Sequence, residues 1–541
     1  MGKNKNNSFI MQAGILAAAG ILCRIIGILY RSPLTGIIGD EGNGYYSSAY
    51  NIYAIILLVS SYSIPSAISK VIAQRLALKE YKNAHRIFHC ALIYVIVVGG
   101  IASLFTFFGA GILVEEHSVS VLRIFAPTIF ISGLLGVLRG YFQSHKTMLQ
   151  TSISQILEQI ANATMSILAA YFLMKTVSHT DATNQAVYGA MGSAMGTGTG
   201  VLIALIFMIA VYYLNRNLIQ KRIENDHSQE ILPYGQIFKI IICMVTPVIL
   251  STFIYNFSTS LNQTIYTKVL KNVGGLTSAE IATAYGIFSG KAVVISNIPI
   301  AIASAISAAM IPSISGTYAK GDKRATRRLI DRAIRTTMII AIPAAVGLFV
   351  LARPIVQLLF PQPESIDMAA KLLQGLCITV VFYSLSTLTN AILQGVGKVN
   401  MPVINAAGAL VIQTVVLIAL LLTTDLNLDC LVIATIIYSF LMCVFNQLSV
   451  RKSLGYRNDY LRSYIMPFIV SAVMGLVAFL IYHGAYYLLK SNVISLIIAI
   501  VFAVFVYFAG ILMFGIITEK ELSGMPKGNL IVELAKKLRL L

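Results

Sequence analysis

From residue 281 to residue 319 only one side chain is formally charged, Lys291. A helix needs about 20 apolar residues to cross the hydrocarbon core of a bilayer, and a chain inside lipid must satisfy its backbone hydrogen bonds within itself. This stretch is therefore read as a membrane-spanning helix, and the same reading applies elsewhere. With a window of about 19 residues, fourteen apolar spans follow one another, at residues 9–30, 44–64, 87–112, 122–143, 149–174, 186–214, 238–262, 281–312, 336–358, 369–394, 402–423, 429–450, 464–489 and 492–517. The expected fold class is an all-α polytopic membrane protein with about 14 transmembrane helices. With 57% apolar and 11% charged residues, the sequence leaves no segment for a large soluble domain.

A net charge of +19 would suggest nucleic acid as the partner of a soluble protein, but topology accounts for it here. If the N-terminus is cytoplasmic and the spans alternate, 30 of the 40 Lys and Arg residues fall on the cytoplasmic side, 8 on the outer side, and Arg24 and Lys291 lie inside spans. That is the positive-inside bias, and it predicts both termini in the cytoplasm without any role for nucleic acid. Two cytoplasmic stretches are dense in charge. Residues 70–86 hold Lys70, Arg75, Lys79, Lys82 and Arg86, and residues 320–335 hold seven basic side chains. Both are read as anchors at anionic lipid headgroups. Lys3 and Lys5 precede a run that continues past Arg24 without a small-residue cleavage site, so it is expected to stay as the first span. The six cysteines contain no C-x-x-C pair, which argues against a disulfide framework or a zinc site.

An internal repeat organises the spans. Ile64-Pro65-Ser66 and Ile311-Pro312-Ser313 each close a span ahead of a basic stretch, 247 residues apart. Gln143-Ser144-His145-Lys146-Thr147-Met148 has an echo beginning at Gln394, 251 residues on. Six spans separate the equivalents, so the halves are parallel and should enclose a central cavity. The expected domains are an N-terminal lobe at 1–214, a cytoplasmic linker at 215–239, a C-terminal lobe at 240–450, two further spans at 451–517, and an amphipathic cytoplasmic tail at 518–541. Ile531, Leu534, Leu538 and Leu541 share one face of that tail. Gly192, Gly196 and Gly200 sit in an apolar span with no strand before them, so they read as helix packing rather than a phosphate loop. His85 and His89 lack further ligands nearby, and no metal is expected.

No nucleophile motif, paired membrane carboxylate or nucleotide-binding sequence is present, which argues against an enzyme or an ATP-driven pump and for no cofactor. The membrane-embedded charges remain. Arg24 and Arg31 lie in or at the end of span one, Lys291 in span eight and Glu158 in span five, with Gln143 at the end of span four. A charged group in a span costs about 2.5–3.5 kcal/mol, so its retention implies a task. With cations in excess, an anionic substrate is the natural partner, held by Arg24, Arg31 and Lys291, with Glu158 and Gln143 as cavity or coupling residues.

The segment Arg24-Ile25-Ile26-Gly27-Ile28-Leu29-Tyr30-Arg31 carries a family resemblance, as do the Ile-Pro-Ser closures, Leu138-Arg139-Gly140-Tyr141-Phe142-Gln143 and Ser154-Gln155-Ile156-Leu157-Glu158-Gln159. With these motifs the chain resembles the polysaccharide-export branch of the multidrug/oligosaccharidyl-lipid/polysaccharide flippase superfamily, and within it the MurJ-type lipid II flippases and SpoVB. The resemblance implies an alternating-access flippase of the bacterial plasma membrane. Its cargo would be an undecaprenyl-diphosphate-linked saccharide, with lipid II first and another polysaccharide unit as the alternative. It also implies a monomer, working alone or beside cell-wall synthesis proteins. A multidrug antiporter and a non-transporting envelope scaffold are the rival readings. The sequence departs from the best-studied branch in three places. Arg24 and Arg31 are one residue further apart, Ser32 replaces an acid after the second arginine, and span two has no basic residue at its middle.

Overall fold

The structure is a computed structural model that describes residues 2–62, 64–145, 147–177, 181–226, 231–455 and 459–516. Among these residues every regular element is helical. In order they are α1 (Gly2–Leu57), α2 (Ile64–Ala77), α3 (Tyr81–Leu113), α4 (Glu116–Ser144), α5 (Met148–Lys175), α6 (Ala182–Leu214), α7 (Arg216–Glu224), α8 (Tyr234–Asn272) and α9 (Ser278–Ile287). There follow α10 (Val293–Ala319), α11 (Lys323–Val350), α12 (Ala352–Leu359), α13 (Ile366–Gly395), α14 (Asn400–Thr423), α15 (Leu428–Leu454), α16 (Met466–Leu489) and α17 (Asn492–Met513). Wide π-helical turns join α1 to α2, α9 to α10, and lead into α16.

Among the described residues, 12 helical stretches are long and apolar enough to cross a membrane. Two details bring this to the fourteen expected. The stretch Ala18–Ser61 holds two crossings, because α1 breaks at Gly39, whose φ of 70° lies in the left-handed region that favours glycine. Arg31 lies beside Tyr46, although a straight helix would separate them by about 22 Å, so the chain turns back at Gly39. The seventh expected span lies in α8, a helix of 39 residues.

The basic stretches are mostly helical rather than loops. Residues 70–77 finish α2, residues 81–86 open α3, and residues 323–335 form the first half of α11. Once a helix is nucleated, each added turn is cheap, so charged turns extend helices out of the apolar layer. The linker likewise contains α7, with Lys221 and Arg222 in its last turn. The expected amphipathic tail lies outside the described residues.

The chain divides into two compact units, Met1–Gly286 and Ile287–Leu541. In the first, α5 and α6 approach through glycine. A Cβ at Gly192 would strike the backbone of Ala170, one at Gly196 the backbone of Ser166, and one at Gly200 would lie 2.6 Å from the Glu158 carbonyl oxygen. Small residues let helix backbones close in this way, so the glycine row is a packing stripe. Gly196→Val is therefore expected to cost about 1–3 kcal/mol through overpacking, read as a lowered thermal midpoint in detergent. Gly100→Ala, with nothing within 4 Å of its Cβ, should not lower it.

The first unit also takes in α8 and α9, because they pack tightly on α1. Gly44 admits the carbonyl of Ala282, and Gly286 admits that of Asp40; a Cβ at either glycine would overlap backbone. Asn51 fastens this seam. Its Nδ2 donates to Gln263 Oε1 (2.6 Å) and Tyr285 Oη (2.9 Å), while Ser260 Oγ donates to the Asn51 carbonyl (3.1 Å).

In the second unit α13 is central, packed by α10, α11 and α15. Its buried hydroxyls are satisfied by the helix itself, as in Thr379 to Leu376 O (2.6 Å) and Thr389 to Leu385 O (2.8 Å). The hairpin of α16 and α17 is attached to α11: a Cβ at Gly475 would meet Val346 at 2.7 Å, and Tyr507 Oη donates to the Ile339 carbonyl at 2.7 Å.

Candidate functional site

In the first unit, α1 carries two of the expected cations. Arg24 is exposed, and its neighbours on the helix face α5. Cys23 lies in the field of Glu158 and Arg139, and a Cβ at Gly27 would touch Gln159 Nε2 at 3.2 Å. Arg31, partly buried, lies within electrostatic reach of the phenols of Tyr30, Tyr46 and Tyr50. The last two belong to an aromatic cluster in which Tyr46 and Tyr50 stack at 5.7 Å and Tyr53 and Phe125 at 4.6 Å. Neutral phenols near a guanidinium leave its charge uncancelled. The turn at Gly39 makes the arrangement possible, since it brings the second half of α1 back onto the first.

Glu158 has a partner that sequence reasoning missed. Arg139 Nη2 donates to Glu158 Oε2 at 2.7 Å and its Nε donates to Ser154 Oγ at 2.8 Å, the two charged side chains being 14% and 30% exposed. Counting Arg139 with the cytoplasmic residues hid it. The signal was present, because Ser154 and Glu158 are one turn apart on α5 and face a single point on α4. Gly140 completes the local logic: a Cβ there would lie 2.8 Å from the Pro65 carbonyl, so the residue after Arg139 must be small for α4 to meet α2. Gln143, one turn beyond Arg139, is partly buried in the last turn of α4. By the offset that relates Gln143 to Gln394, Arg139 corresponds to Asn390, whose Oδ1 accepts from Gln394 Nε2 at 3.0 Å. An amide stands there where the first half has an ion pair.

Removing one partner of such a pair leaves the other charge uncompensated. Arg139→Ala should therefore lower the unfolding free energy by about 1–3 kcal/mol. The double variant Arg139→Ala with Glu158→Gln should recover most of that loss, as read by thermal unfolding in detergent.

In the second unit Lys291 is fully buried, and its Nζ donates to Ser365 Oγ at 2.6 Å. It occupies the π-helical turn Phe288–Ala292, a rare geometry frequent at functional sites. In this conformation the ammonium is enclosed rather than open to a water-filled space. Ser365, just ahead of α13, offsets part of its desolvation. His85 and His89 meet edge to face at 4.4 Å, and His89 Nδ1 is bonded to the His85 carbonyl at 3.0 Å. Among the described residues no group of three or more metal-ligating side chains occurs.

Residues 84–502 match the family model described as the lipid II flippase MurJ. Among curated relatives, the lipid II flippase MurJ of Bacillus subtilis (strain 168) is 22% identical over 482 residues, 85% of this chain and 86% of the relative. Stage V sporulation protein B of the same organism is 23% identical over 540 residues, 97% and 99% of the two chains. Among solved structures, the lipid II flippase MurJ in an inward closed conformation gives a TM-score of 0.65 at 15% identity, covering 92% of this chain and 98% of that one. A multidrug resistance MATE family transporter of the MOP superfamily, in an inward-facing conformation, gives 0.60 at 15% identity, covering 81% and 98%. At these identities the structural likeness speaks for the fold. The family model covers well over half of the sequence, and on that ground the chain belongs to the lipid II flippase MurJ family, as a multi-pass bacterial membrane transporter and not an enzyme.

Proposed function

We propose that the chain moves an undecaprenyl-diphosphate-linked saccharide, lipid II first among the candidates, from the inner to the outer leaflet by alternating access. The observation that carries this reading is the balance of charge inside the spans. Glu158 is committed to Arg139, and Arg24, Arg31 and Lys291 are cations beyond that pair. Guanidinium groups match the oxygens of a diphosphate in pairs, and a low local dielectric strengthens the contact. A transporter of cationic drugs needs an available carboxylate, which the Arg139 pairing withholds.

In this reading residues 1–214 and 240–450 form the two lobes, the linker 215–239 joins them in the cytoplasm, and residues 451–517 add an accessory pair. Both termini are cytoplasmic. The α1 seam with α8 and α9 then lies toward the outer surface, and it must part for the cargo to leave. Depletion of the protein in cells without a redundant flippase should reduce the lipid II that external reagents can reach. Unchanged outer-leaflet accessibility would remove the proposal.

A further inference from the structure

At the basic end of the first unit, α3, α4 and α7 border a shallow, open recess. Tyr81 and His85 line it from α3, Tyr141 and His145 from the end of α4, and Ile219 and Arg222 from α7. The linker segment around α7 is fastened in place at several points. Lys82 donates its backbone N–H to Asp226 Oδ2 (2.6 Å), Leu232 donates its own to Asn83 Oδ1 (2.9 Å), and Arg86 Nη1 donates to the Leu232 carbonyl (3.1 Å). These bonds tie Asp226, two residues beyond α7, and Leu232 to the start of α3.

The lining is short of acceptors and rich in donors. His85 Nδ1 is buried and has no hydrogen-bond partner among the described residues. A buried ring nitrogen left in that state calls for a ligand or a water. His145 Nδ1 bonds the Tyr141 carbonyl at 2.9 Å, and burial holds the ring below its ordinary pKa, so its second N–H forms only as an anion beside it stabilises the protonated ring. Arg222 is exposed, forms no ion pair among the described residues, and acts electrostatically on both Tyr141 and His145. A metal ion would be repelled by this guanidinium and would find only two imidazoles. An oxyanion meets one permanent charge, that of Arg222, beside the imidazoles and phenols of the lining.

We propose that this recess binds a phosphate group, with Arg222 supplying the charge and His85 and His145 supplying directional donors. The group could be inorganic phosphate or the phosphodiester of an anionic lipid, and both share the chemistry the recess offers. Bound there, it would tie α7 to the ends of α3 and α4. The inference stands apart from the cargo assignment, because none of these residues belongs to the proposed transport site.

The test uses the full-length purified protein. One arm titrates inorganic phosphate into detergent-solubilised protein in a zwitterionic buffer and reads heat of binding. The other reads lipid retention by native mass spectrometry from nanodiscs of phosphatidylglycerol against phosphatidylcholine. Phosphate binding in detergent identifies the free anion, and selective phosphatidylglycerol retention identifies the headgroup; either supports the site. In the arm that binds, Arg222→Gln and the pair His85→Gln with His145→Gln should each weaken binding by about tenfold or more, while Arg222→Lys stays close to the parent. Should Arg222→Gln fail to fold, Arg222→Lys and the histidine pair carry the comparison. No binding in either arm, or binding that these substitutions leave unchanged, overturns the proposal.

Discussion

Lys291→Met is expected to abolish transport while leaving the protein folded, with a thermal midpoint at or above that of the parent. The ammonium is fully buried and held by Ser365 Oγ at 2.6 Å. Methionine nearly matches the lysine stem in volume and removes the charge, so the enclosed site loses a desolvation penalty instead of gaining a cavity. If the charge were kept for stability, its removal would lower the midpoint. If it is kept to bind an anion when the turn opens, the loss appears in transport. An interaction of about 2.5–3.5 kcal/mol, the scale of a charge retained in a span, corresponds to a fall on the order of 100-fold. Burial also changes the expectation for Lys291→Arg. The larger guanidinium keeps the charge but overfills the space beside Ser365, at about 1–3 kcal/mol, so partial activity with reduced stability should result. Flux in reconstituted vesicles, measured beside thermal unfolding, separates these outcomes.

Gly44→Val is the second substitution with a large expected effect. A Cβ at position 44 would overlap the Ala282 backbone, and backbone cannot rotate away as a flexible side chain can. The seam of α1 with α8 and α9 should then fail to close, while the helices themselves still form. Overpacking of about 1–3 kcal/mol biases the closed state by the order of tenfold or more. In a background with all six cysteines replaced, a cysteine at position 263 should become reactive to a membrane-impermeant thiol reagent. Transport should fall in the same variant. Asn51→Ala, which removes two side-chain hydrogen bonds without adding bulk, should shift accessibility in the same direction by a smaller factor.

The helical spans were legible because the bilayer forces a long, unbroken apolar run on each of them. Lys291 and Glu158 stood out for the same reason, as charges where charge is expensive. Three things were not legible. The partner of Glu158 was obscured because Arg139 lies near the end of its helix, where a window average cannot separate an embedded residue from a flanking one. The setting of Arg31 depends on where the chain reverses between spans one and two, and Gly36, Gly39, Gly42 and Gly44 all lie in that connection, so the sequence does not single out Gly39. The closeness of Gly44 to Ala282 and of Gly286 to Asp40 joins positions more than 200 residues apart, and no local pattern encodes it. The glycines of α6 were easier, since their four-residue spacing marks one face of a helix.

The central claim concerns a lipid-linked diphosphate crossing the membrane, and vesicles containing only this protein test it most directly. An undecaprenyl-diphosphate-linked saccharide with a fluorescent sugar is loaded into both leaflets, and an impermeant quencher added outside follows exchange between them. The account predicts faster loss of the protected inner-leaflet signal than in protein-free vesicles, with the acceleration absent for Lys291→Met. Exchange equal to that of protein-free vesicles, under conditions where a known flippase is active, would contradict it.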